Sequence, residues 1–286
     1  MDFLQAASLA DALDIKASRP DALPVAGGTD VMVGVNFGRL RPPALLDLTR
    51  IPELAVIDRG GPRLRIGAGV SYARLIAELG DVLPGLAMAA RTVGSPQIRN
   101  RGTMGGNLGT ASPAGDCHPV LLVAGAEVEV ASVRGTREIP VREFFTGPKR
   151  NALAPDELIT AILVPPATGP QLFAKVGTRN AMVIAVCSLA LALPARNGTR
   201  PDVRVALGSA GPVPLRATAA EELLAGELAT GRLTDAVVRR FGQLVAAAAQ
   251  PIDDVRGTAA YRRHALDVLA RRMLGWALAE LAEKAA

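Results

Sequence analysis

The residues best placed to do chemistry are glycines with hydroxyls and carboxylates beside them. V-A-G-G-T-D at 25–30 runs an apolar segment into a glycine pair followed by Thr29 and Asp30. Glycine permits positive φ and close approach of a ligand, so successive backbone N–H groups can turn toward one anion while a hydroxyl adds a donor. Such a phosphate cradle needs no lysine. Asp30 would repel a phosphate; facing the ligand, it would accept a hydrogen bond from a sugar hydroxyl or from backbone N–H groups. Read by itself, a GGTD turn is more often a plain strand-end or hairpin turn.

A second segment, G-T-M-G-G-N-L-G-T-A-S-P at 102–113, gathers four glycines with two threonines, an asparagine and a serine. So many permissive positions beside hydroxyls exceed what a structural loop needs, and they point to ligand binding. Two such segments, far apart along the chain, suit an extended dinucleotide whose pyrophosphate lies across a cleft. GAGVSY at 67–72 resembles a dinucleotide fingerprint, but Tyr72 stands where the third glycine belongs and no acidic residue follows about 20 positions on. A plain strand-to-helix turn is the better reading there. The P-loop pattern is absent, which disfavours ordinary nucleotide hydrolysis. Asp116, Cys117 and His118 invite a nucleophile reading, yet neighbours in sequence point their side chains apart, so Cys117 and His118 are expected to fill space.

Of the 286 residues, 49% are hydrophobic and 21% charged, the balance of a chain that buries a large core. The net charge of +5 comes from scattered basic residues, densest at Arg262, Arg263, Arg271 and Arg272, with no basic run interleaved with aromatics. Nucleic acid is therefore not an expected partner, and the arginine-rich face is either solvated or a subunit contact. Cys117 and Cys187 each stand alone, so the chain builds neither a disulfide framework nor a CxxC metal site. The opening MDFLQAASLADALDIK has no basic leader before an apolar run, which predicts a cytoplasmic protein. The least charged stretch, between Arg179 and Arg196, falls short of the about 20 residues that span a bilayer, and its MVIAVCSLALAL reads as a buried strand.

The elements that must position these residues follow from periodicity. Leu4, Leu9 and Leu13 mark a helix, then LPVAG, VMVGV and ALLDL read as strands. RLRIGAG is a strand, SYARLIAELGDVL a helix capped by Ser71, and GLAMAARTVG a second helix. SPQIRNRGTMGGNLGTASPAGD reads as one long loop. PVLLVAG is a buried helix or strand, and AEVEVAS, TREIPVREFFTGP and ELITAILVP continue as strands. LFAKVG, VIAVCSLALAL and VRVALGS form a three-stranded antiparallel meander, and three amphipathic helices follow. PPATGP at 165–170 is the best domain boundary.

Taken together, these segments resemble a known family. AGGTDVMV at 26–33, QIRNRGTMGGNLGTASPAGD at 97–116 and FFTGPKRNALAPDELI at 144–159 are similar to the FAD-binding medium subunit of the molybdenum hydroxylases. That family includes xanthine dehydrogenase, carbon monoxide dehydrogenase and bacterial aldehyde or N-heterocycle dehydrogenases. PLRATAAEELLAG and YRRHALDVLARRML resemble its C-terminal domain, so the likeness runs end to end. The resemblance implies an α+β chain: a two-subdomain FAD-binding domain of the vanillyl-alcohol-oxidase (PCMH) type over residues 1–57 and 58–168, then a C-terminal α/β domain over 169–286 with a three-stranded antiparallel sheet and helices. It matches Ala26, Gly27, Gly28, Thr29, Asp30 and Val31 to the first pyrophosphate loop, and Thr103, Met104, Gly105, Gly106 and Asn107 to the second. Asp116 matches an aspartate that hydrogen-bonds the flavin nucleotide, Ile159 an apolar contact, and Lys175 a lysine near the isoalloxazine, where a cation would stabilise the anionic reduced flavin.

The function implied is electron relay within an oxidoreductase complex. A large subunit carrying the molybdenum cofactor oxidises substrate, a small subunit with two two-iron iron–sulfur clusters passes electrons on, and FAD on this chain delivers them to NAD, oxygen or another acceptor. The assembly implied is a dimer of heterotrimers, and family frequency makes xanthine or a related N-heterocycle the expected substrate. Carbon monoxide or aldehyde dehydrogenase is the alternative. A free-standing flavin reductase of the same fold would need its own catalytic acid, and no serine or glutamate announces itself as one. Some relatives carry an extra cysteine-rich insertion for a four-iron cluster; this chain has no ligands for it.

Overall fold

The computed structural model describes residues 1–193 and 201–285. Their sequence segments interleave into two compact units: Met1–Ala77, Gly94–Ser112 and Gly125–Pro165 make the first, while Glu78–Val93, Pro113–Ala124 and the chain from Pro166 onward make the second.

In the first unit Ser8 opens the helix Leu9–Ser18, its hydroxyl accepting from Asp11 N at 3.1 Å, as a serine ahead of an amphipathic run should. The helix links the strands Asp2–Gln5 and Ala22–Val25, which flank Ala44–Asp47 in a parallel sheet. Ala44–Asp47 is buried at every position, as befits the central strand of a parallel sheet. Ala22–Val25 runs directly into the first glycine turn. That turn therefore lies at the carboxyl end of a parallel strand, the end where open α/β sheets bind ligands. An antiparallel sheet completes the unit in the order Ile57–Asp58, Leu64–Gly67, Leu158–Val164, Glu127–Ser132, Gly135–Pro140. Leu158–Val164 sits at its centre and is buried throughout, which is why LITAILV shows no alternation.

Four local expectations fail. Leu4 lies in the strand Asp2–Gln5, paired with Leu46, so the first helix starts only after the Ser8 cap. Within TREIPVREFFTGP, Val141–Phe144 is a short helix that starts directly after Pro140. VMVGV is a helix, Val31–Asn36, because the turn at Gly28 (φ +73°) redirects the chain out of the sheet and a short apolar run has no period that separates strand from helix. The long glycine-rich segment is not a loop, since it contains the helices Pro96–Arg101 and Met104–Thr110. Each is opened by a side-chain cap: Ser95 Oγ accepts from Ile98 N at 3.3 Å and Thr103 Oγ1 from Gly106 N at 3.0 Å. The cap-and-proline signal of S-P at 95–96 and the cap at Thr103 outweigh the low helix propensity of the glycines. Replacing Thr103 with alanine is expected to cost about 1 kcal/mol, read from urea unfolding, because the cap is lost while the fold remains.

In the second unit Gln171–Val176, Cys187–Ala192 and Arg204–Gly208 form the expected antiparallel meander, and a two-residue strand, Leu215–Arg216, extends its edge. PVLLVAG belongs to the helix Cys117–Ala124, buried at every position and packed on the middle two strands of the sheet. A helix apolar all round belongs inside. Helix Pro84–Arg91 packs on Gln171–Val176, and the helices Thr218–Thr230, Asp235–Ala248 and Ala259–Ala285 close the core around Leu189, Leu207, Phe241 and Leu266. Cys187 lies within this core, and burial pushes its thiol up to about 12.

Candidate functional site

Gly27 is glycine because nothing else fits: a Cβ there would lie 1.9 Å from the Arg101 carbonyl oxygen. The first glycine turn is thus pressed against the backbone that leads into the second. Both belong to the first unit. Among the described residues, no backbone N–H of residues 27–31 makes a hydrogen bond. Successive donors left without a partner beside a strand end are what an anion would satisfy. Asp30, exposed, accepts a hydrogen bond from Thr110 Oγ1 at 3.4 Å, so its carboxylate faces the end of helix Met104–Thr110.

The second turn is built differently. Met104 N donates to Val70 O at 3.3 Å, Gly105 N to Ala68 O at 2.9 Å, and Gly106 N to the Thr103 hydroxyl. Asn107 N donates to Thr103 O at 3.0 Å, which leaves Thr103 N as the backbone donor of residues 103–107 that makes no hydrogen bond among the described residues. A Cβ on Gly105 would come within 2.7 Å of Ala68 O, whereas one on Gly106 would meet only Thr103 Oγ1, at 3.1 Å. Gly105 is demanded by packing. Gly106 is exposed and demanded by nothing in the chain. Asn107 is half-buried one residue on, and buried Ile159 in the central strand lies 3.9 Å from where a Cβ on Gly109 would stand.

The remaining two candidates meet in the second unit. Lys175 Nζ donates to Asp116 Oδ2 at 2.7 Å, Thr92 O at 2.9 Å and Val183 O at 3.1 Å, which uses its three hydrogens. Thr92 Oγ1 adds a hydrogen bond to the same Oδ2 at 3.2 Å. Asp116 Oδ1 is buried with no hydrogen-bond partner. Burial pushes the Asp116 carboxyl above the usual carboxylate range, against the pull of Lys175 and Thr92. The lysine is therefore a counter-charge locked onto Asp116. Thr92 carries no sequence signal for this role, being an ordinary residue at the end of a helix. Cys117 and His118 are fully buried, the imidazole packed against the bare backbone of Gly115, in keeping with space filling.

Residues 1–167 match the family described as the FAD binding domain in molybdopterin dehydrogenase, and residues 173–277 match the CO dehydrogenase flavoprotein C-terminal domain. The chain belongs to the FAD-binding subunits of the molybdenum hydroxylases. This flavin subunit is 31% identical over 270 residues to the nicotine 6-hydroxylase medium subunit of Paenarthrobacter nicotinovorans, covering 94% of each chain. It is also 31% identical to the xanthine dehydrogenase FAD-binding subunit of Escherichia coli O157:H7, over 96% of this chain and 95% of that one. Its fold superposes on a chain of carbon monoxide dehydrogenase from Hydrogenophaga pseudoflava with a TM-score of 0.91, 29% identity and 98% coverage of both.

FAD fits what the flavin subunit presents. Within the first unit, the unpaired N–H groups of residues 27–31 suit a pyrophosphate and the bare Gly106 suits close approach. Among the described residues no helix is long and apolar enough to cross a membrane, and no cluster of His, Cys, Asp and Glu is arranged to hold a metal ion.

Proposed function

We propose that this chain is the electron-transfer subunit of a cytoplasmic molybdenum hydroxylase, holding FAD with residues 26–31 and 103–107. The run of unpartnered N–H groups at residues 27–31 carries the proposal, because no packing role explains it. On this reading Asp116 accepts a hydrogen bond from the flavin nucleotide through Oδ1, Ile159 supplies an apolar contact, and Lys175 holds the Asp116 carboxyl in place. Bound FAD supplies the ability to collect electrons singly and release them as a pair. Residues 1–57 and 58–168 act as the two parts of the FAD-binding domain and 169–286 as the C-terminal domain.

The partners proposed are a small subunit with two two-iron clusters and a large molybdenum subunit, assembled as a dimer of heterotrimers, with NAD or another carrier as acceptor. The named relatives act on nicotine and xanthine, which supports xanthine or a related N-heterocycle as the substrate of the complex. Purification from the native host tests this directly: a yellow chain that co-purifies with molybdenum and iron–sulfur subunits is expected. A colourless chain that takes up no added FAD overturns the proposal, and a yellow chain that turns over without partners would make it a free-standing reductase.

A further inference from the structure

The helix Val31–Asn36 buries none of its six residues, although V-M-V-G-V-N carries no charge and its apolar residues are consecutive, so that they point all round it. A helix of that composition belongs in a core. The chain folds back directly after it: Gly38 takes φ +67°, and Arg39 N and Leu40 N donate to Gly34 O at 2.8 and 3.0 Å. A Cβ on Gly34 would lie 2.5 Å from Leu40 Cδ1, so Leu40 packs on bare backbone. Val33 and Phe37 are still 48% and 71% exposed, with Met32 and Leu40 exposed beside them. Hydrophobic residues scattered singly over a surface need no explanation, but four on one short excursion make a patch.

The rim of the patch is cationic. The Arg39 guanidinium stands 5.4 Å from the centre of the Phe37 ring, and Arg41 Nη2 lies 3.9 Å from where a Cβ on Gly38 would stand. Neither guanidinium has a carboxylate partner among the described residues. We propose that the excursion 31–41 docks a partner subunit whose contact face is apolar at its centre and acidic at its rim. This rests on the proposed function, in which the chain works beside partners. Protein interfaces set an apolar centre within a polar rim, and unpaired rim charges select a partner of opposite sign. A second copy of this chain fits poorly, because a twofold pairing through the patch brings its arginines toward their own copies. A lipid surface fits poorly as well, since a six-residue helix without a charged face lacks the amphipathic stripe that lies in a membrane interface. The position serves electron delivery. The helix starts at Val31, the last of the unpartnered N–H donors, and a Cβ on Gly28 would lie 3.3 Å from Met32 Cγ, so docking surface and flavin cradle share one short segment.

Co-purification of the whole complex from its native host, with an affinity tag on this chain and washes of rising sodium chloride, tests the proposal. Arg39→Glu with Arg41→Glu reverses the rim, and Phe37→Ser removes the most exposed ring without opening a cavity. The parent is expected to bring partner subunits at low salt and to lose them progressively as salt rises. The rim-reversed variant is expected to retain FAD, read by visible absorbance, and to recover about tenfold less partner subunit or lower. Phe37→Ser is expected to lower recovery about as much, also with flavin retained, because a central aromatic anchor carries much of the energy of such a contact. Sedimentation with phosphatidylglycerol vesicles and analytical ultracentrifugation of the chain by itself cover the two rival occupants. The proposal is overturned by parent-like recovery from either variant, or by flavin lost together with assembly, which would make the patch part of the cofactor site. Vesicle binding or self-association that the rim reversal abolishes overturns it equally. A colourless parent that still assembles through these residues would overturn the flavin reading and leave this one standing.

Discussion

Replacing Gly106 with valine is expected to yield a folded, colourless protein. A Cβ at Gly106 meets only the Thr103 hydroxyl at 3.1 Å, and the position is exposed, so the side chain has room within the chain itself. Helix propensity does not oppose the change, since glycine is the poorer former by a few tenths of a kcal/mol. On the proposed function, the added methyls instead occupy the surface that FAD would approach. Visible absorbance after purification, beside a thermal unfolding curve matching the parent's, checks both halves of the expectation. Gly27→Ala is the contrast: its Cβ would sit 1.9 Å from the Arg101 carbonyl oxygen, so the backbone itself must move. That variant is expected to lose stability together with flavin. Flavin retained by Gly106→Val would remove the second turn from the cofactor site.

Lys175→Met should destabilise the second unit by about 3–5 kcal/mol, because it strands a buried carboxylate. The ion pair is 9% exposed on each side, so solvent screens it little. Asp116 already has its carboxyl raised by burial, and removing the cation raises it further. A group whose folded pKa exceeds its unfolded value contributes fully below the unfolded pKa and loses that contribution as pH rises through the folded one. The defect should therefore be smallest below the carboxylate's ordinary value of 3.8 and grow as the pH climbs toward neutrality. Denaturant unfolding of parent and variant across that range measures it. The double variant Lys175→Met with Asp116→Leu should recover most of the loss, since paired removal leaves no orphaned charge. A defect of equal size at every pH would mean that the lysine stem's packing, and not its charge, is what matters.

The parts of the molecule legible in the sequence are those governed by local rules. Ser71 reads as a cap for the helix beginning at Tyr72, and its hydroxyl accepts from Arg74 N at 3.3 Å. The three-stranded meander and the three final helices follow from periods that survive in the structure. VMVGV fails because five apolar residues carry too little period to choose between helix and strand. The glycine-rich segment fails because composition was weighed above capping, and the hydroxyls of Ser95 and Thr103 nucleate helices that glycine content alone would forbid.

The sequence by itself determined the family, the class of cofactor and the two glycine turns, because permissive backbone beside hydroxyls is a local property written residue by residue. Only the tertiary structure decided what each residue of those turns is for. It separates Gly27 and Gly105, required by close backbone approach, from Gly106, required by nothing in the chain, and it shows that the run of free donors lies in the first turn. It also shows Lys175 as the counter-charge of Asp116, with Thr92 as a third member. Close approach and charge pairing depend on segments distant in sequence meeting in space, and no local pattern records which ones will meet.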